Sequence, residues 1–519
     1  MTEPHQEKAR LTAGFFIVAR LTGRVGLSFG MQRLRRTLAS ALICVVVAQN
    51  SAAMASELPE LGDASQDVLT PQMQRRIGEG FYNEIRLRDP AYIDDPEIAG
   101  YVNRVGQRLV SASQNPTGRF TFFVLRDRQI NAFATFGGYV GVNTGLLLAA
   151  RTESEFSGVL AHEISHVNQQ HLARGIMAAR SQSMTSLVSL ALTLLAVRSG
   201  QAGQIAQGAS AAIDAANVHS QLAYSRDFER EADRVGFQTL TKAGYDPRGM
   251  ADFFERLQKS TALYENNAPV YLRTHPLTTE RISDMQGRAH GAAYRQVRDS
   301  QEFYLVRAKL RTLEYAPQDA LNEFETQLRE RRFVHESAVW YGIARAQLRL
   351  GRLSEAEKAL VNAKKLASAD PMFDVLAAEI RLAEKDLAAA THIYREAHKR
   401  YPNDEAVALG LIDVLQKQGQ NEAALHIIEA RLRSGGARDP KLYKLQAQSY
   451  AALGKAAQSR RATAESYALN GQTQAAVEQL ELAQREAKNF YDQSMIDTRL
   501  KALRGQLIEE RKSAGQSPF

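Results

Sequence analysis

The sequence predicts a mainly α-helical protein in two parts: a helical domain holding a small β-sheet, then an α-solenoid of paired helices. Three observations predict it. His162 and His166 stand four apart in a stretch of helix formers with apolar residues at Phe156, Val159 and Leu160. Residues 132–142 read as a strand, a Gly-Gly turn and a second strand. From about residue 300 the strand signals fade, and small residues return at a period of thirty-four.

The N-terminus comes first. Arg33, Arg35 and Arg36 are followed by a largely apolar run from Leu38 to Val47, then by Ala53-Met54-Ala55, a pattern for cleavage before Ser56. This reads as a secretory signal at 31–55 starting at Met31, with 1–30 an upstream extension of the reading frame. One long atypical signal region is the alternative. Cys44, the only cysteine, lies within the signal and follows Ile43, so it is no lipid-anchor site. The mature chain from Ser56 is expected to be free of cysteine and of disulfides, which suits export without stapling.

The pair Ala132-Phe133-Ala134-Thr135 and Tyr139 to Val142 then forms a hairpin, either a plain core hairpin or an edge that faces a ligand. The helix around His162-Glu163-Ile164-Ser165-His166 carries the chemistry. Residues four apart share a helix face, so the two imidazoles can bind one metal ion, with Glu163 beside them to act on a water. Such a site needs a third protein ligand and a position left open. A glycine at Gln169 and a histidine at Leu172 would supply one known pattern, but neither is present. His171 is near but out of register with that pattern. The remaining source is 225–236, where Glu229 and Asp233 are four apart: Glu229 as a ligand, Asp233 as the acceptor that sets a ligand histidine's tautomer. Glu231 falls on a different side. An ordinary solvated helix face is the bland alternative.

Between these motifs, residues 184–197 are apolar but too short to span a bilayer. A buried helix is the default; an amphipathic helix in peripheral contact with a membrane or with substrate is the sharper alternative. Residues 200–212, rich in Gly, Ala, Gln and Ser, read as mobile. His275, before Pro276, is on its own an ordinary loop histidine. A linker falls near 289–300.

Beyond it, Gly351, Lys385 and Gly419 are thirty-four apart, with Gly454 one residue further, and Ala356, Ala390 and Ala424 keep the same period. That length is the tetratricopeptide period, in which small residues allow paired helices to cross closely. Pro371, Pro402 and Pro440 fall near the repeat junctions. The stacked array would offer a concave surface to extended peptides or protein partners. The domains are thus expected at 56–290 and 300–519.

At 519 residues and 44% hydrophobic, the chain can bury more than one core; its net charge of +8 is modest. With no zinc finger, recognition helix or dense basic tract, nucleic acid is not a predicted partner.

Four ordered blocks carry a resemblance: 131–145, the HExxH at 162–166, 224–233 and 274–281. An HExxH followed by Glu-x-x-x-Asp is similar to the gluzincin proteases, including HtpX and the CAAX prenyl proteases. The whole chain resembles the BepA-type periplasmic metalloproteases, which join such a domain to tetratricopeptide repeats; an integral-membrane prenyl protease would need spanning helices the chain lacks. The resemblance implies one zinc ion per chain on His162, His166 and Glu229, with Glu163 as base. It implies that His275 is a regulatory fourth ligand able to close the site, and that Ala132, Phe133, Ala134 and Thr135 form the edge strand that pairs with substrate. It further implies an endopeptidase in the periplasm of a Gram-negative bacterium. Its expected substrates are misfolded or stalled outer-membrane proteins, whose assembly it also assists, and its repeats would meet the outer-membrane assembly machinery. The competing expectation is a chaperone or assembly scaffold with latent protease activity.

Overall fold

The computed structural model describes residues 69–114, 118–178, 226–261, 269–292, 297–435 and 439–513. The chain divides into units 1–66 and 67–519, and every described residue belongs to the second. The expected signal region, the start at Ser56, the segment 184–197 and the stretch 200–212 lie outside the described residues.

Each early helix begins on a built-in stop for its orphan amides. Helix α1 (Pro71–Arg88) starts with a proline behind Thr70, whose hydroxyl accepts from the Met73 amide. Helix α2 (Pro96–Ala112) repeats the device with Asp95, which accepts from the amides of Glu97 and Ile98. Proline lacks the N–H that a first helical residue cannot use anyway.

Three strands follow: β1 (Thr121–Leu125), β2 (Ala132–Ala134) and β3 (Tyr139–Asn143), in the order β1-β3-β2. The expected hairpin is β2 and β3, antiparallel with Phe133 opposite Gly141. Its Gly-Gly turn is obligatory, since Gly137 and Gly138 have φ of 70° and 81°. A Cβ on Gly137 would come within 2.6 Å of the Arg75 Cα. The added strand, β1, is parallel to β3 and covers it on the other side. That leaves β2 as an edge.

After α3 (Thr144–Ala149) come α4 (Glu153–Asn168) and α5 (His171–Ala178), then α6 (Arg226–Lys242) and α7 (Arg248–Thr261). The short α8 (Val270–Thr274) and α9 (Thr279–Gly291) complete the first half. Residues 153–166 of α4 are all buried, so the helix is walled in on every side rather than striped. Helix α6 crosses it at Gly236, where a Cβ would sit 3.1 Å from the His162 amide nitrogen.

Twelve helices among the described residues form the second half, from α10 (Gln301–Glu314) to α21 (Phe490–Ser513). The thirty-four-residue period is present, but its glycines serve the turns rather than close helix crossings. Gly351, Gly419 and Gly454 have φ of 72°, 73° and 70° with open space around them, and Lys385 adopts 64° at the same place. They end the first helix of each pair in the left-handed conformation. Close packing falls instead to Ala356, Ala390 and Ala424, all fully buried.

The two halves share one apolar core, which runs from Ile93 through Phe156 and Phe303 to Ile380. At the expected linker, Asp299 accepts from the Glu153 amide and Ser300 binds the Glu153 carboxylate, tying the array to the start of α4. Buried Lys309 of α10 pairs with Asp95 at 2.6 Å and with Glu97. Farther along, Lys441 reaches Asp94 and Asn470 meets Arg86, so the array curls back onto α1 and α2. Among the described residues, no helix is long and apolar enough to cross a membrane.

Candidate metal centre

Helix α4 begins at Thr152, whose hydroxyl accepts from the Glu155 amide. Its i, i+4 spacing sets His162 and His166 on one face, rings edge-on, with their Nε2 atoms 3.0 Å apart. The crossing at Gly236 brings α6 near enough for Glu229 to join them. Glu229 oxygens lie 3.4 Å from His162 Nε2 and 3.5 Å from His166 Nε2. His275, which ends α8, points Nδ1 into the same space, 3.3 Å from His162 Nε2 and 3.0 Å from Glu229 Oε1. The four donors lie within 4.8 Å of one another, and all four residues are buried.

This set suits zinc. Ligands held tetrahedrally at about 2.0–2.1 Å stand roughly 3.3 Å apart, and the separations here straddle that value. Three imidazoles and a carboxylate are donors that zinc accepts. Burial alone would raise the Glu229 carboxyl, yet His275 and His162 hold it well below the ordinary range, in its ligating form. Burial pushes His166 well below its usual value. At His162 burial pulls the same way, but hydrogen bonds to Asp233 and Glu229 prevail and hold it at about 9.

The remaining sequence candidates converge on the cluster. Asp233 Oδ1 lies 3.0 Å from His162 Nδ1, on the far side of that ring from the ligand atoms. Glu163 Oε1 is 3.4 Å from His275 Nε2, and its Oε2 accepts from the Ala134 amide at 3.0 Å. That bond follows from strand alternation. Asn131 and Thr135 give their backbone groups to β3, which turns those of Ala132 and Ala134 outward, toward α4. Ala132, Phe133, Ala134 and Thr135 are all buried, and Thr135 lies just past the strand.

Three residues gain places that the sequence alone does not assign. Arg281 of α9 donates twice to Asp233, at 2.7 and 2.8 Å, pairs with Glu229 at 2.9 Å and donates to the Pro276 carbonyl. It belongs to the 274–281 block, but Asp233 lies 48 residues away along the chain. His171, out of register with the motif spacing weighed above, has Nδ1 2.9 Å from His166 Nδ1. The helix is not continuous: α4 ends at Asn168, Gln170 takes φ 53°, and α5 starts anew at His171. The left-handed residue swings His171 back over His166. Tyr271 also packs here, its ring stacked on His275 with centroids 4.7 Å apart.

The sequence pattern of Peptidase family M48 matches residues 96–289, and a tetratricopeptide-repeat pattern matches 381–449. The chain is 32% identical over 498 residues to the beta-barrel assembly-enhancing protease of Escherichia coli (strain K12), covering 93% of this chain and 99% of that one. A putative protease of the same name from Vibrio cholerae is 37% identical, over 59% of this chain and 62% of its own. The mitochondrial metalloendopeptidase OMA1 of Schizosaccharomyces pombe is 30% identical over 36% of this chain and 51% of that protein. Matched by a relative along nearly its whole length and by the peptidase pattern across the half that holds the cluster, the chain belongs to peptidase family M48 and is a zinc metalloendopeptidase with tetratricopeptide repeats.

Proposed function

We propose that the chain is exported to the periplasm of a Gram-negative bacterium and there cleaves misfolded or stalled outer-membrane proteins, assisting the assembly of others. Its long relatives are named for beta-barrel assembly, which supports this reading, as does a repeat array suited to extended chains. The outer-membrane assembly machinery is the proposed partner of the repeats.

In the proposed mechanism His162, His166 and Glu229 hold the metal, and Asp233 keeps His162 presenting Nε2. Zinc in that place supplies a Lewis acid that polarises the scissile carbonyl and acidifies a water. Substrate adds to the outer edge of β2, where the Ala132 and Ala134 backbone groups point. Glu163 takes the proton from the attacking water and passes it to the leaving amine. At rest Glu163 is occupied by the Ala134 amide and lies close to His275, while His275 also stands among the ligand atoms. His275 therefore has to leave before substrate and water can enter, which makes it the gate of the site.

One observation carries the reading: the Ala134 amide and the His275 ring both meet the Glu163 carboxylate. The test is cleavage of an unfolded outer-membrane protein by the chain from Ser56, beside Glu163→Gln. Cleavage by the first alone supports it. Zinc-loaded protein that leaves the substrate intact while holding it soluble would point to a scaffold with latent activity.

A further inference from the structure

We propose that His171 is a positioning residue for the metal centre, which takes the Nδ1 proton of His166 in a hydrogen bond and is itself oriented by Glu231. The inference rests on the reading that His166 presents Nε2 to a metal.

A ligating histidine ordinarily gives its second ring N–H to an acceptor, which sets tautomer and ring angle. Asp233, with Oδ1 3.0 Å from His162 Nδ1, is placed to do this for His162. On His166 the corresponding atom faces another imidazole, His171 Nδ1, at 2.9 Å. Two ring nitrogens at that distance need one proton between them, since two N–H groups clash and two lone pairs repel. With Nε2 of His166 turned to the metal, its proton is on Nδ1, so His171 Nδ1 is the acceptor. The His171 proton then belongs on Nε2, which lies 3.1 Å from Glu231 Oε2. That oxygen also accepts from Arg174 at 3.1 Å. Each assignment forces the next, and the relay ends on a carboxylate as required.

The surroundings hold the ring at that angle. His171 is fully buried and stacks on Phe228, centroids 4.6 Å apart and planes within 10°. Phe228 precedes Glu229 on α6, so the same helix turn supplies a ligand, a stacking surface and, at Glu231, the end of the relay. His171 is not a ligand: its Nδ1 faces the back of His166, and it stands outside the four-residue cluster.

The experiment measures zinc affinity of the full chain from Ser56 by competition with a chromogenic chelator, together with the melting temperature of the zinc-free protein. His171→Leu keeps bulk but loses the acceptor; His171→Asn offers a side-chain carbonyl near the Nδ1 position. Partners of this kind, one layer behind the ligands, change affinity by about 10–100-fold. The leucine variant is expected to lose zinc affinity in that range, and the asparagine variant to recover most of it, with zinc-free melting alike in the two. Equal affinities in parent and leucine variant would overturn the assignment. If the leucine variant fails to fold, Glu231→Ala at the partly exposed end of the relay is read instead. There a loss of about threefold to tenfold supports the relay, and no loss overturns it. A parent protein that takes up no zinc would instead sink the metal reading and this inference with it.

Discussion

Replacing Asp233 with alanine tests how the centre is held together, because that carboxylate binds two partners at once. It accepts two bonds from Arg281, and its Oδ1 lies 3.0 Å from His162 Nδ1. Arg281 is only 3% exposed, so truncation leaves a guanidinium with nowhere to turn for solvent. Removing one partner of a buried ion pair costs about 3–5 kcal/mol. Arg281 keeps its contacts to Glu229 and to the Pro276 carbonyl. The cost in the zinc-free protein is therefore placed at the low end, about 3 kcal/mol. At roughly 1 °C per kcal/mol for a cooperative unit of this size, melting should fall by about 3 °C. Zinc binding should weaken separately by about 10–100-fold, because His162 loses the acceptor that orients it. Differential scanning calorimetry with and without chelator reads both effects. Zinc-free Asp233→Ala melting within about 1 °C of the parent would refute the claim that this pair holds α9 to α6.

Three further outcomes follow from the geometry. His275→Ala should raise peptide cleavage per zinc-loaded molecule, measured with an unfolded substrate; unchanged turnover would show that the histidine is no gate. Lys385→Gly should stabilise the array by about 1 kcal/mol, since lysine bears the left-handed conformation that glycine adopts freely; chemical denaturation of the two proteins decides it. Lys309→Met should destabilise by about 3 kcal/mol by leaving buried Glu97 beside partly exposed Asp95 with no counter-charge, and a loss below about 1 kcal/mol would contradict that.

How much of the molecule is legible in the sequence depends on distance along the chain. His162, Glu163 and His166 are placed by helical period alone, and Glu229 with Asp233 by the same rule, because those relations are local. Arg281 is not, since nothing in a linear string says which of 65 basic residues meets Asp233. That pairing is set by how α9 packs on α6, a tertiary relation. His171 escapes for a different reason. Its place depends on one backbone angle at Gln170, and glutamine gives no warning of a left-handed turn as glycine would. Strand β1 is easy to overlook, although residues 120–125 are mostly aromatic and β-branched, the composition of a buried strand. The repeat period is visible while the reason for its glycines is not, because period alone does not tell a turn from a crossing.

The joint between Glu153 and residues 299–300 makes the two halves a single piece of machinery. Glu153 stands nine residues ahead of His162 on one rigid helix, roughly 14 Å along its axis at about 1.5 Å per residue. A load taken up by the first repeats is thus delivered to the end of the same rod that carries two of the donor imidazoles. Cutting the chain there would not release a free-standing catalytic module. It would strip the cover from a shared interior and strand Asp95 and Glu97 without their lysine, so the repeats are as much the floor of the catalytic half as its outreach.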